Sequence, residues 1–66
     1  MMQGYLPGLR VYLDFPLGRL YGSVTYGPRG SHPFYIYVRF DDGSLREFRP
    51  GSASLKLLKK VEEGRR

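Results

Sequence analysis

The residues of this chain best suited to chemistry are tyrosines and arginines at alternating positions, densest in the run Phe34 to Arg49, FYIYVRFDDGSLREFR. Read with a period of two, Tyr35, Tyr37 and Arg39 fall on one side of that run, and Phe34, Ile36, Val38 and Phe40 on the other. Ring faces beside guanidinium groups suit two tasks. Exposed aromatics stack on nucleobases while arginine meets phosphate, which holds single strands without reading their sequence. Tyrosine and arginine are also favoured anchors of protein interfaces. Arg46, in the returning segment, is expected beside the same stripe. The plain alternative is that tyrosines on the wet face of a strand merely suit β-structure.

Catalysis finds little support. A general base needs a partner within reach and a tuned pKa, yet His32, the single histidine, sits in a Pro/Gly loop with no acid nearby in sequence. Asp41 and Asp42 adjoin, but aspartate in a turn commonly bonds its own backbone. Gly27 and Gly30 neither follow the spacing of a phosphate loop nor open a helix. Without cysteine there is no disulfide framework and no thiolate metal site. The expectation is a binding module with no catalytic residue, no metal and no cofactor.

The net charge of +5 is uneven: five basic and two acidic residues lie from Lys56 onward, and six arginines against four acids before it. Lys56, Lys59, Lys60, Arg65 and Arg66 would add salt-sensitive attraction to phosphate. A charge run is more often a solvated end, and Glu62 and Glu63 dilute this one. Arg10, Arg19, Arg29 and Arg49 read as scattered. No apolar run approaches membrane-spanning length and no signal peptide is evident, so a soluble, cytoplasmic protein is expected.

These side chains need strands to position them. At 66 residues the chain is one domain near the lower limit for an unaided core, and its nine glycines and five prolines favour short strands over long helices. Residues 1–8 read as a flexible N-terminal arm, pinned if at all by Tyr5 and Leu6. Leu9 to Asp14 alternates as a first strand, with Leu9, Val11 and Leu13 inward. Leu20 to Tyr26 reads as a second, with Leu20, Gly22, Val24 and Tyr26 on one face and Gly22 marking a bulge or sharp bend. Gly27 to Pro33 is a loop.

The third and fourth strands form a hairpin across Asp41-Asp42-Gly43-Ser44. A two-residue loop would set Arg39 against Arg46, a costly like-charge pair. A three-residue loop with a glycine bulge instead brings Phe48 beside Ile36 and turns Leu45 outward, and is favoured. Pro50 to Ser54 suits one tight helical turn. Leu55 to Leu58 is the candidate fifth strand, with an amphipathic helix from Leu55 through Val61 as the competing reading. Residues 59–66 read as a charged tail. Five short strands with a helical turn before the last describe a small closed barrel, which removes exposed edges.

The order of parts from Leu9 to Leu58, and most specifically the run Tyr37-Val38-Arg39-Phe40-Asp41-Asp42-Gly43 followed by a strand, a turn and Leu55-Lys56-Leu57-Leu58, resembles the SH3-like barrels of the Tudor-like group. The resemblance implies an all-β, five-stranded barrel over residues 9–58. It also implies an aromatic box for methylated side chains, with Tyr12, Tyr21 and Phe40 as walls and carboxylates of Asp41-Asp42 where a further aromatic usually stands. Looser relatives dock on protein partners in transcription or repair. The binding surface expected is therefore Tyr12, Tyr21, Tyr35, Tyr37 and Phe40, edged by Arg39 and Arg46. Docking on a protein partner in nucleic-acid machinery leads. Direct nucleic-acid binding is the alternative, and methyl-lysine or methyl-arginine reading is third.

Overall fold

A computed structural model describes residues 4–62. Its strands are β1 (Arg10–Phe15), β2 (Gly18–Thr25), β3 (Ile36–Phe40), β4 (Leu45–Phe48) and β5 (Lys59–Lys60), with a one-turn helix α1 (Ala53–Leu57) before the last. All pair antiparallel in one sheet of order β4-β3-β2-β1-β5. The fold is thus mostly β, as the alternating patterns imply. The expected closure is not made by pairing: β4 and β5 are the two edges, and no ladder joins them among the described residues. No helix among those residues is long and apolar enough to cross a membrane.

The inward sets of the strands merge into one core of Val11, Leu13, Val24, Ile36, Val38, Phe40, Phe48 and Leu58, with Tyr5, Leu9, Leu20 and Leu55 packed against it. Phe40 and Phe48 meet edge to face, ring centroids 6.4 Å apart, a favoured geometry for rings whose faces are negative and edges positive.

The β3–β4 connection has the three-residue form. The Gly43 N–H donates to the Phe40 carbonyl (2.9 Å), the Phe40 N–H donates to the Ser44 carbonyl (2.8 Å), and Gly43 has φ +94°, the left-handed geometry of a glycine bulge. Ile36 then faces Phe48, Val38 faces Arg46 and Arg39 faces Leu45. The two arginines are separated, and Leu45 is turned outward.

Gly22 is not a bulge; the register runs through it without a slip, opposite Val11 on one side and Phe40 on the other. A Cβ there would lie 2.8 Å from the Arg39 carbonyl oxygen and 2.9 Å from the Phe40 Cα. Glycine is needed because β2 and β3 approach closely where the Phe40 ring lies over the strand.

Several expectations are corrected. Phe34 and Tyr26 are exposed, at 69% and 80%, because β3 begins at Ile36 and β2 ends at Thr25. Outside the pleat, alternation no longer assigns a face. Tyr37 is the reverse case, outward by register yet only 6% exposed. The fifth strand is not Leu55–Leu58, and no helix runs from Leu55 through Val61. The Ser52 hydroxyl accepts from the Leu55 N–H at 3.2 Å, capping α1 from Ala53 to Leu57. Leu58 then drops into the core, and the strand follows at Lys59–Lys60, paired with Val11 and Tyr12. The sheet thus extends into the segment read as a tail. At the other end, the Gly8 N–H donates to the Val24 carbonyl and the Val24 N–H to the Leu9 carbonyl, both at 2.8 Å.

Gly22→Ala should therefore cost about 2–3 kcal/mol, as overpacking against backbone does. Gly43→Ala has open space around its Cβ and should cost only about 1–2 kcal/mol, for the positive φ alone. Urea denaturation of both variants checks the order.

Candidate functional site

The outer face of β1 and β2 is set by a two-residue turn, Pro16-Leu17, with Phe15 opposite Gly18. From that register Asp14 faces Arg19, Tyr12 faces Tyr21 and Arg10 faces Ser23. The two tyrosine rings are tilted by 42° with centroids 5.4 Å apart. Arg19 ties them together: its Nε donates to Asp14 Oδ1 (3.0 Å), its Nη1 donates to the Tyr21 hydroxyl (3.4 Å), and its guanidinium carbon lies 4.2 Å from the Tyr12 ring centroid. That stack is a cation–π arrangement.

Arg10 secures the other end. Its Nη1 donates to Ser23 Oγ at 3.0 Å, and its two terminal nitrogens reach the Asp41 carboxylate at 3.2 and 3.0 Å. Both ion pairs are about half exposed, so their worth to stability is small. Their effect is to fix where the guanidinium planes point. The hydrogen bond from Arg10 holds the Asp41 carboxyl below its ordinary range. Asp42 is held low by the Ser44 N–H and then by the Ser44 hydroxyl, at 2.9 and 2.7 Å.

β5 completes the site. Pairing Tyr12 with Lys59 puts Lys59 on the outer face, and Tyr12, Arg19, Tyr21, Lys59 and Lys60 line one open cleft of about 490 Å³ with Val61 and Glu62. The Lys60 Nζ also sits 4.8 Å from the Tyr5 ring centroid. The cleft joins aromatic faces and a guanidinium plane to the two lysines of β5, of which Lys60, paired with Val11, turns its Nζ to the Tyr5 ring. Among the described residues no cluster of His, Cys, Asp and Glu is placed to hold a metal ion.

The residues expected from sequence are dispersed. Tyr12 and Tyr21 are half-buried neighbours in the cleft. Arg39 is exposed on the same sheet face, opposite Ser23, and donates to the Gly43 carbonyl at 3.2 Å. Tyr35 is half-buried, stacks on His32 at 4.3 Å and accepts from Arg49 Nε at 3.4 Å. Tyr37 is covered by the Gly27–Phe34 loop, and its hydroxyl accepts from the His32 N–H at 3.1 Å. Phe40 is core, 1% exposed. Arg46 shares the face of Val38, opposite to that of Arg39, so it does not neighbour the stripe.

Arg10, Arg19, Lys59 and Lys60 were legible only as scattered or tail charges. Counting the β1–β2 register out from Pro16-Leu17 would have aligned Arg10 and Arg19 with the tyrosines. Nothing in the sequence marks Lys59–Lys60 as a strand. No family model matches the chain, and neither a curated protein nor a solved structure matches it.

Because the folded carboxyls of Asp41 and Asp42 lie below the unfolded value of about 3.9, they contribute stability above that pH. It is lost as pH falls through the folded values. The melting temperature should therefore decline below about pH 4, and less steeply in Asp41→Asn. Thermal melts across the acid range check this.

Proposed function

We propose that this chain is a small SH3-like barrel of the Tudor-like group that binds single-stranded nucleic acid across the outer face of β1, β2 and β5. The order of five strands with a helical turn before the last supports the fold reading, as does β1 pairing with both β2 and β5. The observation that carries the function is the cleft, where Tyr12 and Tyr21 adjoin Arg19, Lys59 and Lys60. Bases stack on ring faces and on guanidinium planes, and the Arg19 group lying over Tyr12 offers such a plane. Lys59 and Lys60 supply compact charges for the phosphates beside them.

The competing readings lose parts. Partner docking by the Tyr35–Tyr37–Arg39 stripe lacks an anchor, since Tyr37 lies beneath a loop. A methylated-side-chain box lacks the Phe40 wall, and Arg19 already covers Tyr12 as a methylated ammonium would.

Fluorescence anisotropy with a labelled oligouridylate tests the proposal. Phosphate contacts from Lys59 and Lys60 predict a log–log salt slope of about −1.4. Lys59→Ala with Lys60→Ala should bring that slope close to zero. Tyr12→Leu should weaken binding roughly tenfold with the slope unchanged. Absence of salt-sensitive binding at tens of micromolar protein would refute it.

A further inference from the structure

Next to that cleft, with Lys59 common to both, the sheet leaves a seam. β1 pairs with β5 only at Val11 and Tyr12, so Leu13 to Phe15 have no strand on that side among the described residues, and β4 has none beyond it. Since the Ser44 carbonyl accepts from Phe40 and the ladder alternates, the backbone N–H and C=O groups of Leu45 and Glu47 point away from β3. A cleft of about 250 Å³ lies between the two strands, with Leu13, Phe15, Phe48 and Leu57 as its apolar lining. Phe15 is 50% and Leu57 63% exposed, although both are large apolar side chains at one spot. Arg46 and Lys59 border the same cleft, and its one carboxylate, Asp14, is engaged by Arg19.

We propose that this seam is a docking site for an extended segment of a partner protein, adding as a strand along β4 with alternate apolar side chains in the cleft and acidic residues against Arg46 and Lys59. Edge addition draws affinity from main-chain hydrogen bonds and specificity from pockets for alternate side chains. The charges select the occupant. Two cations without an ion pair among the described residues, flanking an apolar slot, repel a basic peptide and steer an acidic one. Pairing of β4 with a second copy of itself, if centred on Arg46 or on Glu47, would set like charges directly opposite, which destabilises a ladder.

Display selection from a library of random dodecapeptides against the full chain, followed by amide chemical-shift mapping of the enriched peptides, tests the assignment. The expected peptides alternate apolar residues, carry net negative charge, and shift the amides of Leu45, Glu47 and Phe15. Arg46→Glu and, separately, Leu57→Asp should each weaken them about tenfold or more. Both side chains are exposed, and an unchanged amide spectrum of the free variants shows that the fold persists. No enrichment, enrichment of basic peptides, shifts confined to another surface, or a dimer that occludes β4 would each overturn the proposal.

Discussion

The three-residue connection Asp41-Asp42-Gly43 is the constraint on which the rest depends. One residue fewer would move the β4 register and set Arg39 against Arg46. With it, Phe48 reaches Ile36 and the edge of the Phe40 ring, which gives a chain of this size its aromatic core. The same turn reaches across the sheet. The Asp41 N–H donates to the Tyr21 carbonyl at 2.8 Å, and its carboxylate takes both terminal nitrogens of Arg10. A local choice of turn thereby couples the hairpin to the two strands that carry the tyrosine pair.

The outer face of the sheet is divided rather than uniformly wet. Over β3 the Gly27–Phe34 loop folds down, and Tyr37 serves as its peg through the hydrogen bond from the His32 backbone. Over β1 and β2 the two tyrosines stay half-exposed, with the Arg19 guanidinium over Tyr12 and both arginines oriented by carboxylates. Two tyrosines with the same outward phase thus have opposite fates, decided by what the loops do above them.

This is where legibility in the sequence ends. Alternation found Val11, Leu13, Val24, Ile36, Val38 and Phe40, because burial of one strand face imposes a period of two. Turn chemistry found the Gly43 bulge, because a like-charge pair made the other register costly. Tyr37 departs from its outward phase because loop coverage is a tertiary effect that carries no periodic signal. Phe34 and Tyr26 depart from theirs because alternation says nothing beyond the ends of a strand. The helical turn expected near Pro50 to Ser54 forms, three residues further on than read and capped by Ser52, while the two-residue β5 that follows draws its strand geometry from β1 rather than from its own lysines. Half of the candidate cleft therefore came from a segment whose composition reads as solvated tail.

The chain thus presents two surfaces of different character: a basic aromatic cleft at β1, β2 and β5, and an apolar seam between β1 and β4. The most direct test of the central claim is a titration of the isotope-labelled chain with a short oligouridylate, followed residue by residue through its amide shifts. The expected shifts gather at Tyr12, Arg19, Tyr21, Lys59 and Lys60, with Leu45 and Leu57 unmoved. Shifts centred on the seam, or none at millimolar oligonucleotide, would contradict it.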